Sequence, residues 1–76
     1  MDPDAKIMLE IGEGFLEDGK YEEALGCFEK ILVTNPNDPV VWNKKGVALR
    51  SLGRYNEAIE SFNKALEISP KDLDAS

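Results

Sequence analysis

The sequence predicts an all-α fold, four antiparallel helices arranged as two helix-turn-helix units of a short α-solenoid, and three observations carry that prediction. Apolar residues recur at helical spacing in four stretches. The chain matches itself at an offset of 34 residues without a gap. Glycine and proline stand where helices would end and begin. Two-helix units at a fixed period are the mark of a solenoid, in which each unit leaves an apolar face for its neighbour to bury.

The unit is clearest between Trp42 and Pro70. Trp42, Gly46 and Leu49 fall at spacings of four and three, one face of a helix. Tyr55, Ala58, Ile59, Phe62, Ala65 and Leu66 form a second stripe of the same period. Gly53 lies between them and can adopt the left-handed conformation that a helix needs just past its last turn. The small Gly46 and Ala58 are expected to let the two backbones approach closely, with Trp42 and Phe62 filling wider ends. Ser69-Pro70 stops the second helix, because proline lacks an amide hydrogen and forces the preceding residue out of the helical region. Asp38-Pro39 starts the first: the carboxylate caps free amides, and proline occupies the position where a missing donor costs nothing.

The offset places Gly12, Gly19, Tyr21, Glu23, Ala24, Phe28, Lys30, Leu32, Pro36 and Asp38 on identical residues at Gly46, Gly53, Tyr55, Glu57, Ala58, Phe62, Lys64, Leu66, Pro70 and Asp72. Helices are therefore expected at about 5–18, 21–34, 39–52 and 55–68. The units run over residues 5–38 and 39–72, joined by Asn35-Pro36-Asn37-Asp38. Asp4 and Asp72 match Asp38 as helix caps. Residues 73–76 read as the start of an incomplete third unit, as in an excerpt of a longer array or a chain whose final helix was lost.

These residues resemble the tetratricopeptide repeat family, over residues 5 to 72. The family's pattern is complete in the second unit, at Trp42, Gly46, Leu49, Tyr55, Ala58, Phe62, Ala65 and Pro70. The first unit departs from it at Met8, Phe15 and Ile31. These swaps stay apolar and alter packing more than fold. Lys45 stands where the family usually has leucine; its stem is expected to pack and its ammonium to snorkel outward.

The resemblance implies a right-handed solenoid whose first helices line a concave groove for a peptide segment of a partner. By position, the lining would be Lys6, Leu9, Glu13, Leu16 and Glu17 of the first unit and Val40, Asn43, Val47, Arg50 and Ser51 of the second. It is apolar and acidic in front, and apolar with Asn43, Lys44 and Arg50 behind. Such a groove suits an amphipathic or bipolar peptide. One subgroup of the family grips chaperone C-termini with a lysine and an asparagine on its first helix; Leu9 and Glu13 hold those sites here, so that mode is not expected.

Composition narrows the function further. There is no histidine, no cysteine pair and no Walker or zinc-protease motif, so the usual nucleophilic, phosphate-binding and metal arrangements lack their residues, and neither enzyme activity nor a cofactor is expected. Gly12-Glu13-Gly14 lies within a helical stripe with no strand before it, unlike a dinucleotide loop. Glu10, Glu13, Glu17 and Asp18 read as a solvated acidic face rather than a cation site. The net charge of −6 argues against nucleic acid or an anionic membrane as partner. Cys27 alone permits no intrachain disulfide and reads as a small, semi-buried core residue, in keeping with a cytoplasmic, soluble protein.

Charge and size both bear on assembly. Residues 5–38 carry three lysines against eight carboxylates, net −5, while residues 39–72 carry six basic residues against four carboxylates, net +2. A 76-residue chain buries only about 60% of its unfolded surface, so two units are marginal alone. An apolar face around Leu49, Leu52, Leu66 and Ile68 is expected to remain open and to drive self-association or helix exchange. The primary reading is a scaffold or adaptor module that binds a protein or peptide; the alternative is a self-assembling structural unit.

Overall fold

The structure is a computed structural model that describes residues 3–70. Within them the chain forms four helices and no strand: α1 Pro3–Glu17, α2 Tyr21–Thr34, α3 Pro39–Ser51 and α4 Tyr55–Ile68. Each pairs with the next in sequence, α1 with α2, α2 with α3 and α3 with α4, and α1 also touches α3. This is the all-α solenoid of stacked helix pairs.

Local chemistry explains each boundary. Gly19 and Gly53 take φ of 75° and 80°, the left-handed region that L-residues avoid. That turn lets Lys20 N donate to Phe15 O at 2.8 Å and Arg54 N to Leu49 O at 2.9 Å, closing both helices with the same hydrogen-bonded C-cap. At the start of α3, Asp38 Oδ1 accepts from Val40 N at 3.0 Å and Val41 N at 3.4 Å, with Pro39 in the first turn. Asp4 does not repeat this role. It lies inside the first turn of α1, because Pro3, whose φ is already set for a helix, stands ahead of it. Asp72 and residues 73–76 lie outside the described residues.

The core lies in the middle of the stack. Phe28, Val41 and Leu49 are its largest fully buried side chains, and Ala5, Ala24, Leu25, Ile31, Leu32, Ala48 and Ala58 complete it. The outer helix α4 buries only Ala58, Ser61 and Ala65. Cys27 is buried and unbonded.

Two side chains differ from expectation. Phe62 does not fill a wide end of the helix pair; its ring lies against Gly46, where a Cβ would come within 2.5 Å of Phe62 Cε1. Gly46 therefore makes room for a ring rather than for a backbone. Lys45 is half-buried with its ammonium 5.0 Å from the Trp42 ring centroid, a cation–π contact that the sequence did not predict.

Candidate functional site

The candidate site is the surface of α1 and α3. Its ten positions are five pairs at the 34-residue offset, so equivalent turns of two helices supply them. Lys6, Glu17, Val40, Asn43, Arg50 and Ser51 are exposed, and Leu9, Glu13, Leu16 and Val47 are half-buried. Leu9 and Leu16 also pack against the core. None is lost to the interior.

One ion pair ties the two helices together across this surface. Lys44 Nζ lies 3.3 Å from Glu13 Oε1, with both side chains partly exposed. An exposed pair of this kind contributes at most about 1 kcal/mol. Its consequence for a ligand is one of charge: Glu13 and Lys44 largely neutralise each other, leaving Lys6, Glu17 and Arg50 as exposed charged groups of the lining. Both residues were expected on this surface, with no partner for either.

The junction between α2 and α3 is fixed by Trp42, whose indole N–H donates to Pro36 O at 2.7 Å. At the α3–α4 turn, Arg54 grips Glu57 with two bonds, Nε to Oε2 at 2.6 Å and Nη2 to Oε1 at 2.8 Å. That hydrogen bonding, followed by the charge attraction, lowers the Glu57 pKa, and hydrogen bonding to Glu57 raises that of Arg54. The pair orders the first turn of α4 and lies outside the ten-residue lining. Among the described residues no group of three or more histidine, cysteine, aspartate or glutamate side chains could hold a metal ion, so Glu10, Glu13, Glu17 and Asp18 form no such cluster.

The expected self-association face needs correction. Leu49 is 2% exposed and belongs to the core, because it lies three residues beyond Gly46 on the inward stripe of α3. Leu52 is half-buried against that core, and Ile68 is half-buried. Leu66 is exposed as expected, and its large exposed neighbours on α4 are Tyr55 and Ile59, which belong to the same apolar stripe and were not named in that face. At the opposite end, Ile7 and Ile11 of α1 are exposed and were missed. The missed signal was in the repeat itself. Subtracting or adding 34 shows which positions have a covered counterpart.

Four helices in consecutive pairs, closed by matching glycine turns and presenting one helix of each pair side by side, define a helical repeat protein. The chain belongs to the tetratricopeptide repeat family, which matches over residues 7–40 and again over residues 39–72. It is similar to the peroxisomal targeting signal receptor of Candida glabrata, 36% identical over 54 residues, covering 71% of this chain and 9% of that protein. It is also similar to the Hsp70-Hsp90 organising protein of Plasmodium falciparum, 38% identical over 52 residues, covering 68% of this chain and 21% of that protein. The crystal structure of MamA protein superposes with a TM-score of 0.80 at 26% identity, covering 92% of this chain and 38% of that one. The chain thus spans a small part of the length of these relatives. Among the described residues no helix is long and apolar enough to cross a membrane.

Proposed function

We propose that the chain is a non-catalytic protein–protein interaction module, a scaffold or adaptor piece that receives a peptide segment of a partner on the groove of α1 and α3. The observation that carries this reading is the accessibility of all ten lining positions on two adjoining helices joined by the Glu13–Lys44 pair. The names of the relatives, a targeting signal receptor and an organising protein, support it, since both denote work on other proteins. Residues 5–38 and 39–72 act as its two units.

The groove's chemistry narrows the ligand. Leu9, Leu16, Val40 and Val47 offer apolar contact, Glu17 repels acidic groups, and Arg50 attracts them. A short amphipathic segment with a basic end toward Glu17 and an acidic end toward Arg50 meets all of these. A surface of two helices binds it weakly, because the area lies below that of a standard interface.

The test is selection from a random dodecapeptide display library on the immobilised chain, followed by affinity measurement of the enriched peptides. Arg50→Glu should weaken them about three- to thirtyfold, since reversing an exposed charge removes one attraction and adds one repulsion of up to about 1 kcal/mol each. No enrichment, or peptides indifferent to Arg50→Glu, would overturn the reading.

A further inference from the structure

The helix pairing inside the chain shows what fits the faces of α1 and α4 that no described helix covers. On α2, Leu25 is 4% exposed and Phe28 is fully buried; on α3, Val41 and Ala48 are fully buried, and α2 and α3 pack directly on each other. Moved on by 34 residues, the α2 face becomes Tyr55, Ile59, Phe62 and Leu66 of α4, where Ile59 is 55% exposed. Moved back by 34, the α3 face becomes Ile7, Ile11 and Gly14 of α1, where Ile7 is 55% exposed. A Cβ on Gly14 would meet nothing within 4 Å, although its counterpart Ala48 is fully buried.

The uncovered α4 face therefore keeps the residue types of a face that is covered within this same molecule, and the α1 face keeps a β-branched aliphatic at the position of Val41. Phe62, Leu66 and Tyr55 repeat Phe28, Leu32 and Tyr21, and Ile59 replaces Leu25. On the other side Ile7 replaces Val41, and Ile11 replaces the charged Lys45, which makes that face the more apolar of the two.

We propose that the occupant of these faces is a second copy of this chain, docked head to tail, with α1 of one copy seated on α4 of the next as α3 is seated on α2. The contact is heterologous, using a different patch on each partner. It leaves one free face of each kind at the ends of a growing row. It uses neither the groove lining nor the Glu13–Lys44 pair, so it stands or falls independently of peptide binding.

The test uses sedimentation over a hundredfold concentration range, with helicity followed by circular dichroism, on the whole chain, on Ile7→Lys, on Ile59→Lys and on an equimolar mixture of the two variants. Both positions are solvent-exposed, and Ile7→Ser and Ile59→Ser form a second pair should lysine disturb the fold. The mass of the unaltered chain should rise with concentration above 8.4 kDa. Each variant alone should stay monomeric, and the mixture should form a dimer and stop, because each variant retains the face that the other has lost. A monomer throughout for the unaltered chain would overturn the proposal. So would a mixture that fails to associate, or Ile7→Lys assembling normally while Ile59→Lys does not, the pattern of a symmetric α4 contact.

Discussion

The Phe62 ring fills the space that a side chain on Gly46 would need, with Cε1 2.5 Å from the Cβ position, and Phe28 stands in the same relation to Gly12 at 2.6 Å. The two sites differ in what lies behind the ring. Phe28 is fully buried, whereas Phe62 is partly exposed. A methyl group at Gly46 can push its ring outward; one at Gly12 cannot, and it also meets Cys27 Cβ at 3.2 Å. Gly12→Ala should thus cost about 1–3 kcal/mol by overpacking, and Gly46→Ala less, with the roughly 1 kcal/mol gained from alanine's helix preference offsetting part of each. Chemical denaturation of both variants checks the order, and equal losses would contradict this account of Phe62.

Glycines of one sequence should respond in opposite directions to the same substitution. Gly53→Ala forces an L-residue to φ of 80° and should destabilise by about 1–2 kcal/mol. Gly26 is helical and an added Cβ there meets nothing within 4 Å, so Gly26→Ala should stabilise by about 0.5–1 kcal/mol. Thermal midpoints moving in the same direction would refute the argument.

Asp38 caps the helix that joins the two pairs. Asp38→Ala should cost about 1 kcal/mol through loss of the bonds to Val40 N and Val41 N, while Asp38→Asn should keep most of the stability. The denaturation midpoint of the two variants decides whether the side-chain oxygen or its charge is responsible.

Acid should loosen the start of α4. The folded-state pKa of Glu57 is lowered by the hydrogen bonds from Arg54, so the unfolded chain binds more protons in the window between the two pKa values. The stabilisation is therefore fully present above the unfolded value and is lost as pH falls through the folded one. Arg54, whose pKa is raised, stays protonated throughout. An NMR titration of the side-chain carboxyl should show Glu57 protonating below the ordinary glutamate range, and Arg54→Ala should return it to that range. The effect on stability is small because the pair is exposed.

The helices and their repeat were legible because apolar periodicity and glycine–proline punctuation are local properties, visible around Gly53 and Pro39 without tertiary knowledge. The proposed groove positions follow the 34-residue offset, which pairs Leu9 with Asn43 and Leu16 with Arg50, but the Glu13–Lys44 contact depends on how two helices sit side by side. The ends were read poorly. Apolarity alone cannot separate Leu49, which neighbouring helices enclose, from Ile59, which lacks a covering helix among the described residues. Phe62 was assigned to a wide end because its spacing fixes the face of α4 it occupies and not which residue it meets across the pair.

Groove recognition is tested most directly by mapping backbone amide NMR shifts when a display-selected dodecapeptide is titrated into the labelled chain. The account predicts changes concentrated on Lys6, Leu9, Glu13, Leu16 and Glu17 of α1 and on Val40, Asn43, Val47, Arg50 and Ser51 of α3. Changes centred instead on α2 or on the Tyr55–Ile59–Leu66 face of α4 would contradict it.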